Sequence, residues 1–170
     1  MRKVVLFIVL SFAAPYLAAD DAKLKDIRAF LRIDESLATS GQIQYQEIPA
    51  IKDAGFDVVV NLAPARQERN GEEGFRVTET GMTYVQIPVD WENPSPRDLK
   101  LFFDVMNANR DRKVYVHCFA NMRVSVFVYL YRTQVLGVPK DVARADLAKI
   151  WDPATEPQWE RFIEQAEASH

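Results

Sequence analysis

The sequence Lys-Val-Tyr-Val-His-Cys-Phe-Ala-Asn-Met-Arg, residues 113–123, decides the predicted fold. Residues 113–117 have the length and the β-branched and aromatic content of a strand. An apolar helical run then extends from Arg123 to residue 136, where Gly137 and Pro139 end it. In parallel α/β sheets ligands bind at the carboxyl ends of strands, so residues 118–122 lie where a ligand would bind.

The flanking sequence continues this alternation of strands and helices. The predicted strands are residues 56–62 and 82–89, and the predicted helices are residues 45–54, 96–109, 140–150 and 157–167. Residues 37–42 indicate a short extended piece, residues 63–74 a polar loop, and residues 75–80 a helical turn. We therefore expect an α/β fold with a central, mainly parallel sheet flanked by helices.

The first nineteen residues differ in character from the rest of the chain. Arg2 and Lys3 precede an almost wholly apolar run over residues 4–14, and small residues follow before Asp20. This is the layout of a secretory signal peptide, and the apolar run is short for a membrane span. We predict a signal peptide over residues 1–19, one domain over residues 20–170, and export to the periplasm or the medium. An uncleaved N-terminal anchor is the alternative.

Charge and composition exclude several classes of function. The chain has 21 basic and 24 acidic side chains, and two of the basic ones, Arg2 and Lys3, lie in the signal segment. The acidic domain that is left is a poor general binder of nucleic acid. Only two histidines and one cysteine are present, without a phosphate-binding or dinucleotide glycine motif. The sequence therefore predicts neither a metal nor an organic cofactor.

Cys118 is the single cysteine of a chain predicted to be exported. Exported domains use structural cysteines in pairs, so Cys118 is either a small buried apolar residue or a reactive thiol. Its neighbours favour the reactive thiol. A tight loop that enters a helix directs backbone N–H groups and the helix dipole toward one point. Arg123 adds a planar cation that grips an oxyanion, and these influences favour the thiolate of Cys118.

The order of a strand, His117-Cys118, a short loop and Arg123 resembles the signature of the protein tyrosine and dual-specificity phosphatases. Three further segments are similar to the phosphatase-like domain of bacterial β-lactamase hydrolase-like proteins: Ser40-Gly41-Gln42, Gly55-Phe56 and Val60-Asn61-Leu62. Residues 87–90, Ile-Pro-Val-Asp, resemble the run into the general-acid loop. The resemblance spans about residues 25–165 and implies a cysteine-phosphatase fold of the dual-specificity type.

The resemblance also implies a role for each matched residue. Cys118 would be the nucleophile that forms a phosphocysteine, and Asp90 would be the general acid and base. Arg123 would bind the phosphoryl oxygens together with the loop residues Phe119, Ala120, Asn121 and Met122. His117 would orient the loop, and Ser125 would donate a hydrogen bond to the sulfur.

Each of these roles has a structural alternative. Asp90 could brace a proline-rich loop, with Glu92 as the acid instead. His117 could be a buried strand-end residue, Arg123 could pair with a carboxylate, and Ser125 could be an ordinary helix residue. The aromatic residues 127, 129 and 131 indicate packing. Arg66, Glu68 and Arg69 could be solvated or could line the entrance.

The loop departs from the common phosphatase pattern in two ways. Four residues separate Cys118 from Arg123, where common tyrosine phosphatases have five, and Asn121 stands where those enzymes have glycine. Asparagine tolerates left-handed backbone angles better than most residues, so Asn121 can fill that place. Rhodanese-type sulfurtransferases share the four-residue spacing.

Three functions therefore stay open at the level of sequence. They are a phosphatase acting on a phosphoprotein or a phosphorylated small molecule, a sulfurtransferase with a Cys118 persulfide, and a non-catalytic anion-binding module. The sequence predicts no nucleic-acid partner and no stable membrane insertion after cleavage. It leaves the oligomeric state undetermined.

Overall fold

The computed structural model describes residues 22–169, and the predicted signal peptide lies outside these described residues. One five-stranded sheet forms in the order β1-β2-β5-β3-β4, with β1 antiparallel to β2 and all other neighbours parallel. The strands are β1 (Leu31–Arg32), β2 (Leu37–Ser40), β3 (Val58–Asn61), β4 (Thr83–Gln86) and β5 (Val114–His117). The predicted mainly parallel sheet is confirmed.

Helices cover both faces of the sheet, as expected for parallel strands. They are α1 (Ile48–Asp53), α2 (Gln67–Asn70), α3 (Glu73–Glu79), α4 (Pro96–Ala108), α5 (Met122–Gln134), α6 (Lys140–Ala148) and α7 (Pro157–Ala168), with 3-10 turns at Tyr45–Glu47 and Pro153–Thr155. Residues of α4 to α7 pack with Val58, Val60 and Val116 in one core. Residues of α1 and α3 pack with Val59 and Tyr115 in the other. Strand β5 lies in the middle of the sheet, so its carboxyl end is surrounded by protein.

Residues predicted to begin or end helices do so in the structure. The Ser95 hydroxyl accepts a hydrogen bond from the Asp98 N–H at 3.1 Å and caps α4, which has Pro96 in its first turn. Gly55 follows α1 with a φ of +83°, and Gly137 follows α5 with a φ of +67°. Both are left-handed positions that favour glycine at helix ends.

The predicted polar loop over residues 63–74 is wrong in part, because it contains α2 and the first turn of α3. The four-residue helix α2 has no apolar repeat and depends on polar contacts. The Asn70 side chain accepts from the Arg66 N–H at 2.7 Å and donates to the Pro64 carbonyl at 3.1 Å. The predicted strand over residues 82–89 is also too long, since β4 ends at Gln86, two residues before Pro88.

None of the helices between residues 22 and 169 combines the length and the apolar character that a membrane crossing needs.

Candidate active site

Cys118 lies directly after β5, at the carboxyl end of the central strand. Its side chain has 0% of its surface exposed. Its backbone N–H donates to the Ser40 carbonyl of the neighbouring strand β2 at 3.3 Å. The sulfur is therefore held at the base of the loop that leads into α5.

Asn121 turns the chain from this loop into α5. Its φ of +64° and ψ of −3° are left-handed, which confirms that asparagine fills the place of a glycine. The Asn121 amide group donates to the Ala29 carbonyl at 2.8 Å and to the Thr39 hydroxyl at 3.0 Å. The turn is thus stabilised by its own side chain as well as by the backbone.

The N-terminus of α5 offers donors to an anion. The first N–H groups of a helix have no acceptor inside the helix. Within residues 22–169 no other acceptor bonds to the N–H groups of Met122 and Arg123. Because these groups follow the Cys118 loop, they are available to an oxyanion bound above the sulfur.

The Ser40-Gly41-Gln42 segment supports the loop from the side. The Gln42 N–H donates to the Phe119 carbonyl at 3.2 Å, and Gly41 forms a β-bridge with Ala120. A Cβ atom on Gly41 would lie 3.0 Å from the Arg28 carbonyl oxygen and 3.1 Å from that of Phe119. Glycine is required here because the two backbones approach too closely for a side chain.

The Arg123 side chain starts from the first turn of α5, five residues after Cys118. Only 8% of its surface is exposed, Nε donates to the Val89 carbonyl at 3.0 Å, and the group lies 5.1 Å from the centre of the Trp91 ring. Burial lowers the pKa of Arg123, while a hydrogen bond and charge attraction to Cys118 and the charge of Asp90 act in the opposite direction. Within the described residues no Asp or Glu carboxylate forms an ion pair with Arg123.

Asp90 lies in the exposed loop between β4 and α4. Its Oδ1 accepts hydrogen bonds from the N–H groups of Glu92 at 2.9 Å and Asn93 at 2.8 Å. It therefore braces the loop, as the structural alternative predicted, and its charge also acts on Arg123. Glu92, the alternative acid, is exposed in the same loop.

His117 is fully buried, and its Nε2 bonds to Oε1 of Glu73 at 2.8 Å. Glu73, also 0% exposed, lies in the segment predicted as a polar loop, and no sequence signal singled it out. Its carboxylate accepts three further hydrogen bonds, from the side chains of Gln42, Asn61 and Tyr84. Burial raises the pKa of Glu73, but the charge and hydrogen bond of His117 and the bonds from Gln42 and Tyr84 bring it below its usual value.

Ser125 does not occupy its predicted place. Its hydroxyl donates to the Met122 carbonyl at 2.9 Å and accepts from the Trp151 indole N–H at 3.0 Å. The hydroxyl proton is used within the helix turn, so the predicted donation to the sulfur has no proton left to make it. The physical reason is that a serine in a first helical turn readily bonds a nearby carbonyl.

Of the three charged residues that could line the entrance, Arg69 is the one in contact with the Cys118 loop. The Arg69 guanidinium lies 5.0 Å from the centre of the Phe119 ring, so Arg69 contacts the Cys118 loop. Arg66 and Glu68 are exposed nearby on the same segment. The aromatic residues Phe127, Tyr129 and Tyr131 are buried in the core, as predicted from the packing interpretation.

Together these residues place a thiol, a guanidinium and helix N–H groups without acceptors in the described residues around the start of α5. Such a set can bind a small oxyanion and allow the sulfur to attack its central atom. Within the part of the chain that the structure describes, no three His, Cys, Asp or Glu side chains are grouped to hold a metal ion.

Comparison with solved structures identifies the family. A protein of Shewanella putrefaciens CN-32, described as "Putative phosphatase (DUF442)", is 37% identical, and the match covers 88% of this chain and 97% of that chain with a TM-score of 0.80. This chain belongs to the DUF442 family. The predicted relationship to bacterial phosphatase-like domains is confirmed.

More distant structures show the fold. TpbA of P. aeruginosa, solved in complex with pTyr, is 15% identical with a TM-score of 0.64, over 79% of this chain and 82% of that chain. PTPMT1 is 19% identical with a TM-score of 0.64, over 82% of this chain and 97% of that chain. The cysteine-phosphatase fold of the DUF442 chain is thereby confirmed, and these neighbours belong to the predicted class of hydrolases.

A curated relative matches in sequence over part of its length. The "Beta-lactamase hydrolase-like protein" of Agrobacterium fabrum is 29% identical in an alignment of 123 positions that covers 69% of this chain. The match spans only 27% of that relative. No protein-family model matches the chain.

Proposed function

We propose that this DUF442 protein is a cysteine-dependent phosphatase that hydrolyses phosphomonoesters through a phosphocysteine intermediate. The observation that carries the proposal is the placement of the buried Arg123 side chain in the first turn of α5, directly after the loop that Cys118 begins. A bound phosphoryl group would receive charge from the arginine and hydrogen bonds from the helix N–H groups. The description of the Shewanella relative as a phosphatase supports the same reaction.

The reaction would proceed in two balanced steps. The Cys118 thiolate attacks phosphorus, the S–P bond forms, the P–O bond to the leaving group breaks, and Asp90 gives its proton to the leaving oxygen. Water then attacks phosphorus, Asp90 accepts a proton from that water, and the thiolate leaves as phosphate is released. Arg123 stabilises the charge on the equatorial oxygens in both steps.

The substrate would be a phosphorylated residue or a small phosphoester. TpbA, which shares the fold, has been solved with pTyr, and this supports a phosphotyrosine-like group. Arg69 and Phe119 form one wall beside the loop and would contact the part of the substrate next to the phosphate.

The first test is replacement of the nucleophile. Cys118→Ser should abolish turnover of an aryl phosphate, because an alcohol near neutral pH is a far weaker nucleophile than a thiolate. The variant should still bind tungstate, since Arg123 and the helix N–H groups are intact. Full turnover in Cys118→Ser would remove the cysteine mechanism. Tungstate binding by wild type without turnover would indicate a non-catalytic anion-binding module.

The second test concerns the general acid. Asp90→Asn should lower kcat by about 10²–10⁴, the range of general acid–base help, with a smaller loss for substrates whose leaving group needs no proton. Glu92→Gln is the matched control in the same exposed loop and should leave kcat near the wild-type value. If Glu92→Gln gives the larger loss of kcat, Glu92 rather than Asp90 is the general acid.

A sulfurtransferase is the second candidate function. The four-residue loop and the fully buried Cys118 sulfur favour a transferred group smaller than a phosphoryl group. In that reaction the thiolate attacks the outer sulfur of thiosulfate, the S–S bond forms, and sulfite leaves with the electron pair of the broken bond. Mass spectrometry after thiosulfate treatment should then show one added sulfur on Cys118. An unmodified mass together with aryl phosphate turnover rejects this candidate.

Export is also part of the proposal. The basic start and the apolar run over residues 4–14 support a signal peptide that is removed near residue 19. N-terminal sequencing of the protein recovered from a periplasmic fraction tests it. An intact Met1 on membrane-bound protein would favour an uncleaved anchor.

A further inference from the structure

We propose that Glu73 is a positioning residue, whose buried carboxylate holds the Cys118 loop in place from both sides through Gln42 and His117. The kinetic part of this inference rests on the proposed phosphatase function, whereas the structural part does not.

Glu73 covers a row of polar residues at the carboxyl end of the sheet. Ser40, His117 and Asn61 are partners in register across β2, β5 and β3. Residues two positions earlier on each strand, Ala38, Tyr115 and Val59, belong to the core of α1 and α3, so the polar row faces that layer rather than the layer of α5. A polar row against an apolar layer requires partners. Glu73 at the start of α3 supplies them for His117 and Asn61, while the Ser40 hydroxyl donates to the Gly41 carbonyl.

The first connection from Glu73 reaches the side of the loop. Glu73 Oε2 accepts from Gln42 Nε2 at 2.7 Å, and the Gln42 N–H donates to the Phe119 carbonyl at 3.2 Å. Phe119 is the residue after the nucleophile. A shift of the Gln42 side chain would therefore move the first peptide group of the loop.

The second connection reaches the base of the loop. Glu73 Oε1 bonds to His117 Nε2 at 2.8 Å, and His117 is joined directly to Cys118. Asn61 connects the same oxygen to the end of β3. Its Nδ2 donates to Glu73 Oε1 at 2.8 Å, and its Oδ1 accepts from the Ala63 N–H at 2.7 Å. One carboxylate thus connects β5, the end of β3 and the segment after β2.

The charge of Glu73 matters for this arrangement as well as its shape. Four donors converge on its two oxygens, and an ionised carboxylate is a pure acceptor. Glutamine has the same size but replaces one carboxylate oxygen with an NH2 group, which is a donor. That group would face either the Gln42 amide, which bonds to Oε2, or the side chains that bond to Oε1. The Glu73→Gln change therefore breaks at least one connection without leaving a cavity.

Hydrogen exchange of the loop tests the positioning role directly. In Glu73→Gln the amides of Cys118 and Gln42, which donate to the Ser40 and Phe119 carbonyls, should exchange about tenfold faster or more than in wild type, because local opening becomes easier. Asp146→Asn is the matched control, since it makes the same carboxylate-to-amide change at a 2.7 Å ion pair with Arg132, at the other end of α5. It should leave exchange of the loop unchanged even where it lowers Tm.

Kinetics provide the second readout. A loop displaced by a fraction of an ångström should lower kcat for aryl phosphate by about 10- to 100-fold, with KM changed little. Loss of activity only in proportion to the unfolded fraction, with normal loop exchange, overturns the inference. If wild type itself shows no phosphatase turnover, the proposed function fails while the exchange data still decide the role of Glu73.

A second variant applies if Glu73→Gln does not fold. Gln42→Ala removes one of the two connections and leaves the carboxylate with its remaining donors. Faster exchange of the amides at positions 42 and 118 in this variant supports the inference. Wild-type exchange there would show that Glu73 does not hold the loop through Gln42 and would overturn the proposal as stated.

Discussion

At the scale of single residues, Asn121 combines two properties that the loop needs. It adopts a left-handed backbone, and its side chain bonds to Ala29 and Thr39. Asn121→Gly keeps the backbone and loses only the side-chain bonds, whereas Asn121→Ala also adds left-handed strain. We expect Asn121→Ala to be less stable than Asn121→Gly by about 1 kcal/mol in urea denaturation. Equal stabilities would show that the left-handed turn relaxes when the side chain is lost.

At the scale of elements, α4 follows the Asp90 loop and begins at a capped residue. The Ser95 hydroxyl satisfies the Asp98 N–H, so Ser95→Ala should lower the free energy of unfolding by about 1 kcal/mol. Ser95→Gly should cost only a few tenths of a kcal/mol, since glycine is accepted at this position. Urea denaturation of both variants measures the difference, and an unchanged midpoint for Ser95→Ala would mean that the cap adds nothing to the stability of α4.

At the scale of the whole molecule, the lowered pKa of Glu73 couples stability to pH. A carboxyl group whose pKa is lowered by folding stabilises fully above its ordinary value of 4.5 and loses this effect as pH falls through the lowered value. Wild-type Tm should therefore fall as pH decreases below about 4.5. The Glu73→Gln variant should have a lower Tm than wild type at pH 7, and its Tm should fall less steeply over the same acid range.

The exposed Glu68 is the control for this pH experiment, because it lies in the same segment as Glu73 but outside the buried network. Glu68→Gln should reproduce the wild-type dependence of Tm on pH. If the Tm of Glu73→Gln falls at acid pH as steeply as that of wild type, the fall is caused by other carboxyl groups. Asp146 and Glu167 are examples, since their pKa values are also lowered.

The prediction of the fold succeeded where the chain carries an apolar pattern. The β-branched runs in β3 and β5 and the helical run of α5 were found because burial on both faces requires continuous apolar residues. The helix α2 was missed and only the later part of α3 was predicted, as a helical turn, because α2 and the start of α3 make polar contacts, and polar contacts leave no period in a sequence. Phe75, the one large apolar residue near them, is 62% exposed and gave no guide to the core.

The site was predictable in its centre and not in its surroundings. Cys118, Arg123 and Asn121 lie within six consecutive residues, so local geometry brings them together once the strand and helix are in place. Asp90 was proposed only through a resemblance of its segment. The Ser125 hydroxyl bonds to the Met122 carbonyl, a local contact that the resemblance did not predict.

The amino-acid sequence by itself determined the α/β class, the strand-loop-helix unit and the pairing of a lone thiol with an arginine, because these depend on neighbours along the chain. Only the tertiary structure decided that Glu73 meets His117 across 44 positions, and that Trp91 and Val89 orient Arg123. The reason is that a buried charge is compatible with folding only where distant segments supply its partners, and which segments meet is set by the packing of the whole sheet.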